Sequence, residues 1–219
     1  MWTRARNFWF GLPKANAEVW DAQTHKKVLD IYGHARLVGP LRHDGWVVAV
    51  LFSPKGDRIA TATATVNQDT KSIRIYNSDN GQRLLDIPFR FYNVSSPLAW
   101  SADGRQLLAA SYSKIKRFDS SSGSLLNKWS VRGGGSTASI VLSRNLKFIV
   151  VSASDSLSFW DALTLKQIGT AIRHASTVWS IALSSNNDCI AAGESNGKIT
   201  LRSLRDILPG SYSIANVSD

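Results

Sequence analysis

The sequence predicts an all-β protein assembled from one unit repeated in series, and three features predict it. Short apolar runs of strand type alternate with turn-forming residues along the chain. A recurring turn tetrapeptide follows the first run of a unit: SPKG at 53–56, SADG at 101–104, SRNL at 143–146 and SSNN at 184–187. Its leading serines, Ser53, Ser101, Ser143 and Ser184, stand 48, 42 and 41 residues apart. An aromatic closes the third run at Trp20, Tyr76, Phe118 and Trp160, with Arg202 in the fifth such place. From Tyr76 onward that marker keeps a spacing of 42 residues. Two independent markers sharing a period near 42, with four short strands per unit, are the signature of β-propeller blades.

The elements follow in order within a single domain, 1–219. FWFGL at 8–12 and NAEVW at 16–20 hold the second- and third-strand places of a first unit, and KKVLDI at 26–31 holds the fourth. This partial blade, 8–31, lacks its innermost strand. Blades over 43–88, 91–131, 133–172 and 174–217 come next, with fourth strands near 83–88, 125–131, 166–172 and 211–217. The expected fold is thus about four complete blades plus a partial N-terminal one, in an incomplete or open ring. Alternating residues such as Val48, Val50 and Phe52, or Ile73 and Ile75, suit strands whose side chains alternate between faces. Gly and Asn at the hairpin tips tolerate positive φ. Asp21, Asn77, Asp119 and Asp161 follow the third strand, where a short polar side chain can bond the turn backbone. A sheet with two apolar faces must stack on its neighbours.

GWVVAVLFSPKGDRIATA with SIRIYN resembles the WD-repeat family, and AEVWD, SFWDALT and KITLRSL extend the resemblance over about residues 8 to 203. The WDALT and GPLRHDGWV phrasing is also similar to repeat arrays attached to fungal NACHT-type nucleoside triphosphatases. The resemblance implies a non-catalytic scaffold that binds a protein partner through loops on one face of the propeller. It also implies a hydrogen-bonded set of His, Ser/Thr, Asp and Trp in each blade. Here His43 and His174 hold the histidine place, and Phe91 and Gly133 hold it in the sister blades. The His43 blade offers Thr61 or Thr63 and Asp69 but has Tyr76 for Trp. The Trp160 blade offers Ser152 or Ser154 and Asp155 without a histidine, so every set is partial.

Two connections are longer than the repeat requires. The link containing GHARLVGPLR at 33–42 is about eight residues longer, and the loop around Thr65 to Lys71 about six. By family geometry both belong to the same face, and loops on a rigid scaffold carry binding residues. The candidate partner-binding residues are Arg36, Arg42, Asn67, Gln68, Asp69 and Lys71, with Trp46 as an anchor at the adjoining strand start.

The chain carries 26 basic and 16 acidic residues, a formal net charge of +10. Eight of the bases and only one acid, Asp119, fall between Arg105 and Lys147. A basic patch of Lys114, Lys116, Arg117, Lys128, Arg132, Arg144 and Lys147 is therefore a second candidate surface. It supports the alternative of a basic nucleic-acid- or chromatin-associated propeller. Arg117 stands where the sister blades have Val19, Ile75 and Phe159, a place that ordinarily excludes charge.

Catalytic and cofactor chemistry find no pattern here. His25, His34, His43 and His174 lack metal-ligand spacing. Gly133-Gly134-Gly135 lacks the spacing and lysine of a phosphate loop, and no nucleophile elbow occurs. The expectation is no enzyme, no cofactor and no metal. One cysteine, Cys189, excludes a disulfide within the chain. No apolar run approaches the roughly 20 residues of a membrane helix, and the first residues do not read as a secretory signal. An intracellular protein is expected, cytoplasmic rather than nuclear, with open blade edges able to pair in an oligomer or larger assembly.

Overall fold

The computed structural model describes residues 16–21, 23–32, 46–64, 73–91, 97–111, 114–131 and 138–212. They divide between two compact units, Met1–Phe91 and Tyr92–Asp219. Among the described residues the regular structure is antiparallel β apart from one short 3-10 helix. The first unit holds a two-stranded sheet, β1 (Asn16–Trp20) and β2 (Lys27–Tyr32), and a four-stranded one. The latter comprises β3 (Trp46–Phe52), β4 (Arg58–Ala64), β5 (Ile73–Asn77) and β6 (Arg83–Ile87) in sequence order. β1 and β2 are the expected third and fourth strands of the partial blade; residues 8–12 lie outside the described residues.

The second unit contains three sheets. One is β7 (Leu98–Trp100), β8 (Gln106–Ser111), β9 (Lys114–Asp119) and β10 (Leu125–Ser130). The next is β11 (Ala138–Leu142), β12 (Phe148–Ala153), β13 (Ser156–Asp161) and β14 (Gln167–Arg173). The last has three strands, β15 (Val178–Leu183), β16 (Cys189–Glu194) and β17 (Ile199–Ser203). Where a fourth strand was expected to begin, at 211, the chain instead forms a 3-10 turn over Gly210–Tyr212; 213–217 lie outside the described residues. First strands meet: β11 is flanked by β7 and by β15. Phe148, Val150, Leu157 and Phe159 form one core with Val178, Ile181 and Ile190 of the following sheet. This is blade-on-blade stacking, the radial packing of a propeller.

The markers in the sequence have a common physical cause. Each leading serine accepts, on Oγ, the backbone N–H five residues on: Arg58 to Ser53 at 3.0 Å, and Gln106 to Ser101, Phe148 to Ser143 and Cys189 to Ser184 at 2.9 Å each. The fourth tetrapeptide residue has positive φ in all four turns, at Gly56 (76°), Gly104 (71°), Leu146 (59°) and Asn187 (54°). Asp21, Asn77, Asp119 and Asp161 each accept two backbone N–H bonds across the third-to-fourth-strand turn. The two turns of a blade are then tied together. Ser78, Ser120, Ala162 and Leu204 donate their N–H to the carbonyls of Asp57, Arg105, Lys147 and Asp188. Each kind of bond occurs four times, and three successive blades carry the whole frame, which fixes the period.

Candidate partner-binding surface

The register of β3–β6 fixes which connections share an end of that sheet. Trp46 is opposite Ala64, and Ala62 opposite Ile73, which pairs with Ile87. The chain therefore enters β3, leaves β4 and enters β5 at one end. Both longer-than-repeat connections, 33–45 and 65–72, join the sheet there. Arg36, Arg42, Asn67, Gln68, Asp69 and Lys71 lie outside the described residues. Of that set the structure gives Trp46, the first residue of β3. Arg74, next to the loop, is held to Asp86 by a 3.0 Å ion pair across β5 and β6.

In the second unit the corresponding end carries a buried polar cluster around Glu194, the last residue of β16. His174 Nδ1 lies 3.1 Å from Glu194 Oε1, and each side chain is only 2% exposed. Thr200 Oγ1 donates to the same oxygen at 2.7 Å, and Ser176 Oγ to Oε2 at 3.4 Å. The hydrogen bond from the His174 ring, then that from Thr200, holds the Glu194 carboxyl below its ordinary range, although burial opposes this. With Nδ1 donating, Nε2 is buried without a partner. The histidine place is filled differently two blades earlier, where Phe91 is buried against Phe89 with ring centroids 4.7 Å apart. In the blade of Trp160, the indole N–H donates to Ser158 Oγ at 2.8 Å, and Ser152 Oγ accepts the Ser139 N–H. Asp155 pairs with Arg173 at 3.2 Å. Thr61 Oγ1 is buried without a hydrogen-bond partner.

A family model described as "WD domain, G-beta repeat" matches residues 165–202. No curated protein matches the chain. The matched stretch runs from the turn before β14 through β17, so it joins the outer strand of one blade to the inner three of the next. Together with the repeated four-stranded sheets, that supports a WD-repeat propeller arrangement. Residues 165–202 are a WD repeat. The WD-repeat unit bridges two blades, which makes stacking a property of the repeat itself. Glu194, missed in the sequence, is the carboxylate that meets His174. Only its place after an apolar alternating strand and twenty residues beyond His174 hints at this.

The basic residues do not act as one patch. Lys116 and Lys128 are opposite each other on β9 and β10, and Lys114 is on the same face of β9. Arg117 is on the other face. Its Nη2 donates to the Ala162 carbonyl of the next blade, and its guanidinium lies 5.9 Å from the Trp129 ring centroid. Burial lowers its pKa from the ordinary arginine value. Arg117 thus sits half-buried in a well-formed strand and ties two blades. Arg144 and Lys147 sit in the β11–β12 turn and donate to the carbonyls of Ser185 (3.4 Å) and Ser211 (2.8 Å). Arg132 lies outside the described residues. Tyr212 completes that end of the blade, its hydroxyl donating to Asp161 at 2.9 Å and its ring edge-on to Phe148.

Among the described residues, no group of three His, Cys, Asp or Glu is placed to hold a metal ion. No helix among them is long and apolar enough to cross a membrane.

Proposed function

We propose that this WD-repeat chain is a non-catalytic, intracellular interaction scaffold that binds a protein partner at the blade end where residues 33–45 and 65–72 join β3, β4 and β5. The observation that carries this reading is the register of β3–β6: both lengthened connections start from one end of a rigid sheet. Basic and amide side chains on such loops suit a partner rich in carboxylates and backbone carbonyls. The reading of a nucleic-acid-bound propeller has less support. Arg117, Arg144 and Lys147 already donate to backbone carbonyls within the fold, leaving Lys114 and Lys128 exposed beside a half-buried Lys116.

The test is affinity capture with the full chain and a variant carrying Arg36→Glu, Arg42→Glu and Lys71→Glu. Partners recovered by the parent should be lost from the triple variant while its melting temperature is kept. Recovery of the same partners by both proteins would remove this face from consideration.

A further inference from the structure

The final sheet ends on its third strand, β17, whereas the sheets of β3–β6, β7–β10 and β11–β14 each carry a fourth strand beside the third. Backbone direction at β17 follows from its two flanking bonds. Glu194 donates its N–H to the Lys198 carbonyl at 2.9 Å, and Leu204 donates to that of Asp188 at 2.7 Å. Alternation along the strand then turns Thr200 and Arg202 toward β16, and points the N–H and C=O groups of Ile199, Leu201 and Ser203 at the open edge. At the place of Ser203, Asn77, Asp119 and Asp161 donate to the carbonyls of Gln82, Ser124 and Lys166, each at 2.9 Å, just where a fourth strand begins. Past β17 the chain leaves this edge: Leu204, Leu208 and Tyr212 pack on the preceding blade.

Other blades of the same chain show what such an edge accepts. Ile73 and Ile75 stand three 42-residue periods before Ile199 and Leu201, and they pair with Ile87 and Leu85 of the fourth strand. In β1–β2, Ala17 and Val19 pair in the same way with Ile31 and Leu29. Both fourth strands read Leu-Asp-Ile, at 29–31 and 85–87. Ile73 and Ile75 are fully buried, while Ile199 and Leu201 are each 73% exposed. Charge narrows the choice of occupant. From Ser195 to Arg205 the chain has Lys198, Arg202 and Arg205 and no acid, and Lys198 and Arg202 are exposed. Two copies meeting edge to edge would bring these cations together, whereas a segment bearing a carboxylate is attracted. Tyr76, the equivalent of Arg202, is opposite Arg83 across a register shift. An acid at the Arg83 place of an incoming strand would stand opposite Arg202.

We propose that the open edge of β17 binds an extended segment of a partner protein as an antiparallel fourth strand, with the pattern Glu-x-Leu-x-Ile. The backbone groups of Ile199, Leu201 and Ser203 supply the main-chain bonds, the Leu and Ile of the segment lie opposite Leu201 and Ile199, and its glutamate meets Arg202. This edge is separate from the loop end of β3–β6 assigned to partner binding above.

The probe is the hexapeptide Gln-Glu-Leu-Leu-Asp-Ile, the sequence of 82–87 with glutamate at the place of Arg83, titrated into the full chain by isothermal calorimetry. It should bind with a Kd below about 1 mM. Methylating the amide nitrogens of its second leucine and its isoleucine should weaken binding by about tenfold or more, because the bonds to β17 are lost. Leu201→Asp should weaken it by a similar factor, and since Leu201 is exposed the melting temperature should not change. Arg202→Glu should reverse the preference, so that the peptide with arginine in place of glutamate binds better. No saturable binding overturns the proposal. So does equal binding of the methylated peptide, which would mean apolar adhesion without strand pairing, or binding unchanged by Leu201→Asp. A mass in light scattering that rises with concentration, and no longer rises in Leu201→Asp, would make a second copy the occupant and overturn it as well.

Discussion

The blade β11–β14 and the sheet β15–β17 have the same repeat written into them, yet their third strands meet opposite surroundings. Leu157 and Phe159 are sealed by the next blade, whereas Ile199 and Leu201 face outward at 73% exposure. The outer element differs as well. β14 continues the first of these sheets, but beyond β17 the chain turns back, and Leu204, Leu208 and Tyr212 pack onto the core and turns of the preceding blade. An apolar residue at a blade junction is therefore a statement about what the repeat is built to meet. Its burial is decided by the neighbour.

The comparison is broken most directly by trimming the same place in both blades. Phe159→Ala removes a fully buried ring from the shared core and should destabilise by about 3–5 kcal/mol. Leu201→Ala, equivalent in the repeat, should change stability by no more than about 0.5 kcal/mol when the chain is dilute. Chemical denaturation of both variants at low concentration measures this. Similar losses would show that the final sheet is covered even in the single chain.

A smaller effect separates the turns. Leu146 sits at φ 59° where sister turns have Gly56, Gly104 or Asn187. A left-handed leucine costs about 1–2 kcal/mol, part of which glycine returns as unfolded-state entropy. Leu146→Gly should therefore stabilise the chain by about 0.5–1 kcal/mol, while Gly104→Leu should destabilise it. Differential scanning calorimetry resolves the sign. Lower stability of Leu146→Gly would mean that the half-exposed leucyl side chain contributes more than its backbone costs.

The same turns show how much was legible in the sequence. Serine spacing, third-strand aromatics and Asp or Asn after them gave the strand order because one hydrogen-bond frame needs all of them at fixed offsets. The functional side was less readable. Arg117 looked anomalous because the pattern marks a core place but cannot show the Ala162 carbonyl and Trp129 ring that receive its charge. The seven basic residues looked like one surface because proximity in sequence does not distinguish the two faces of β9 or a turn engaged by Ser211. Glu194 was invisible because its three partners come from the link before β15 and from β17, and no family position calls for a glutamate there. The turn back at 204–212 was missed since the repeat itself predicts another strand.

The most delicate difference between the two blades is in how they respond to acid. Glu194 is buried in the final sheet, and its hydrogen bonds hold the carboxyl below the ordinary 4.5. A carboxyl lowered on folding adds stability above its unfolded value and loses it as pH falls through the folded value. Asp161 in the preceding blade is also lowered, first by the Thr164 N–H and then by the Thr164 hydroxyl, but it sits at a solvent-facing turn. Glu194→Gln should therefore flatten the decline in stability between about pH 5 and pH 3, relative to the parent. Asp161→Asn should flatten it too, through the turn rather than the cluster. Urea titrations at each pH read the two slopes, and because Asp57, Asp103 and Asp119 are unchanged in both variants, their shared contribution cancels. A Glu194→Gln slope equal to that of the parent would mean that neither the His174 nor the Thr200 hydrogen bond gives the carboxylate a preference for its charged form.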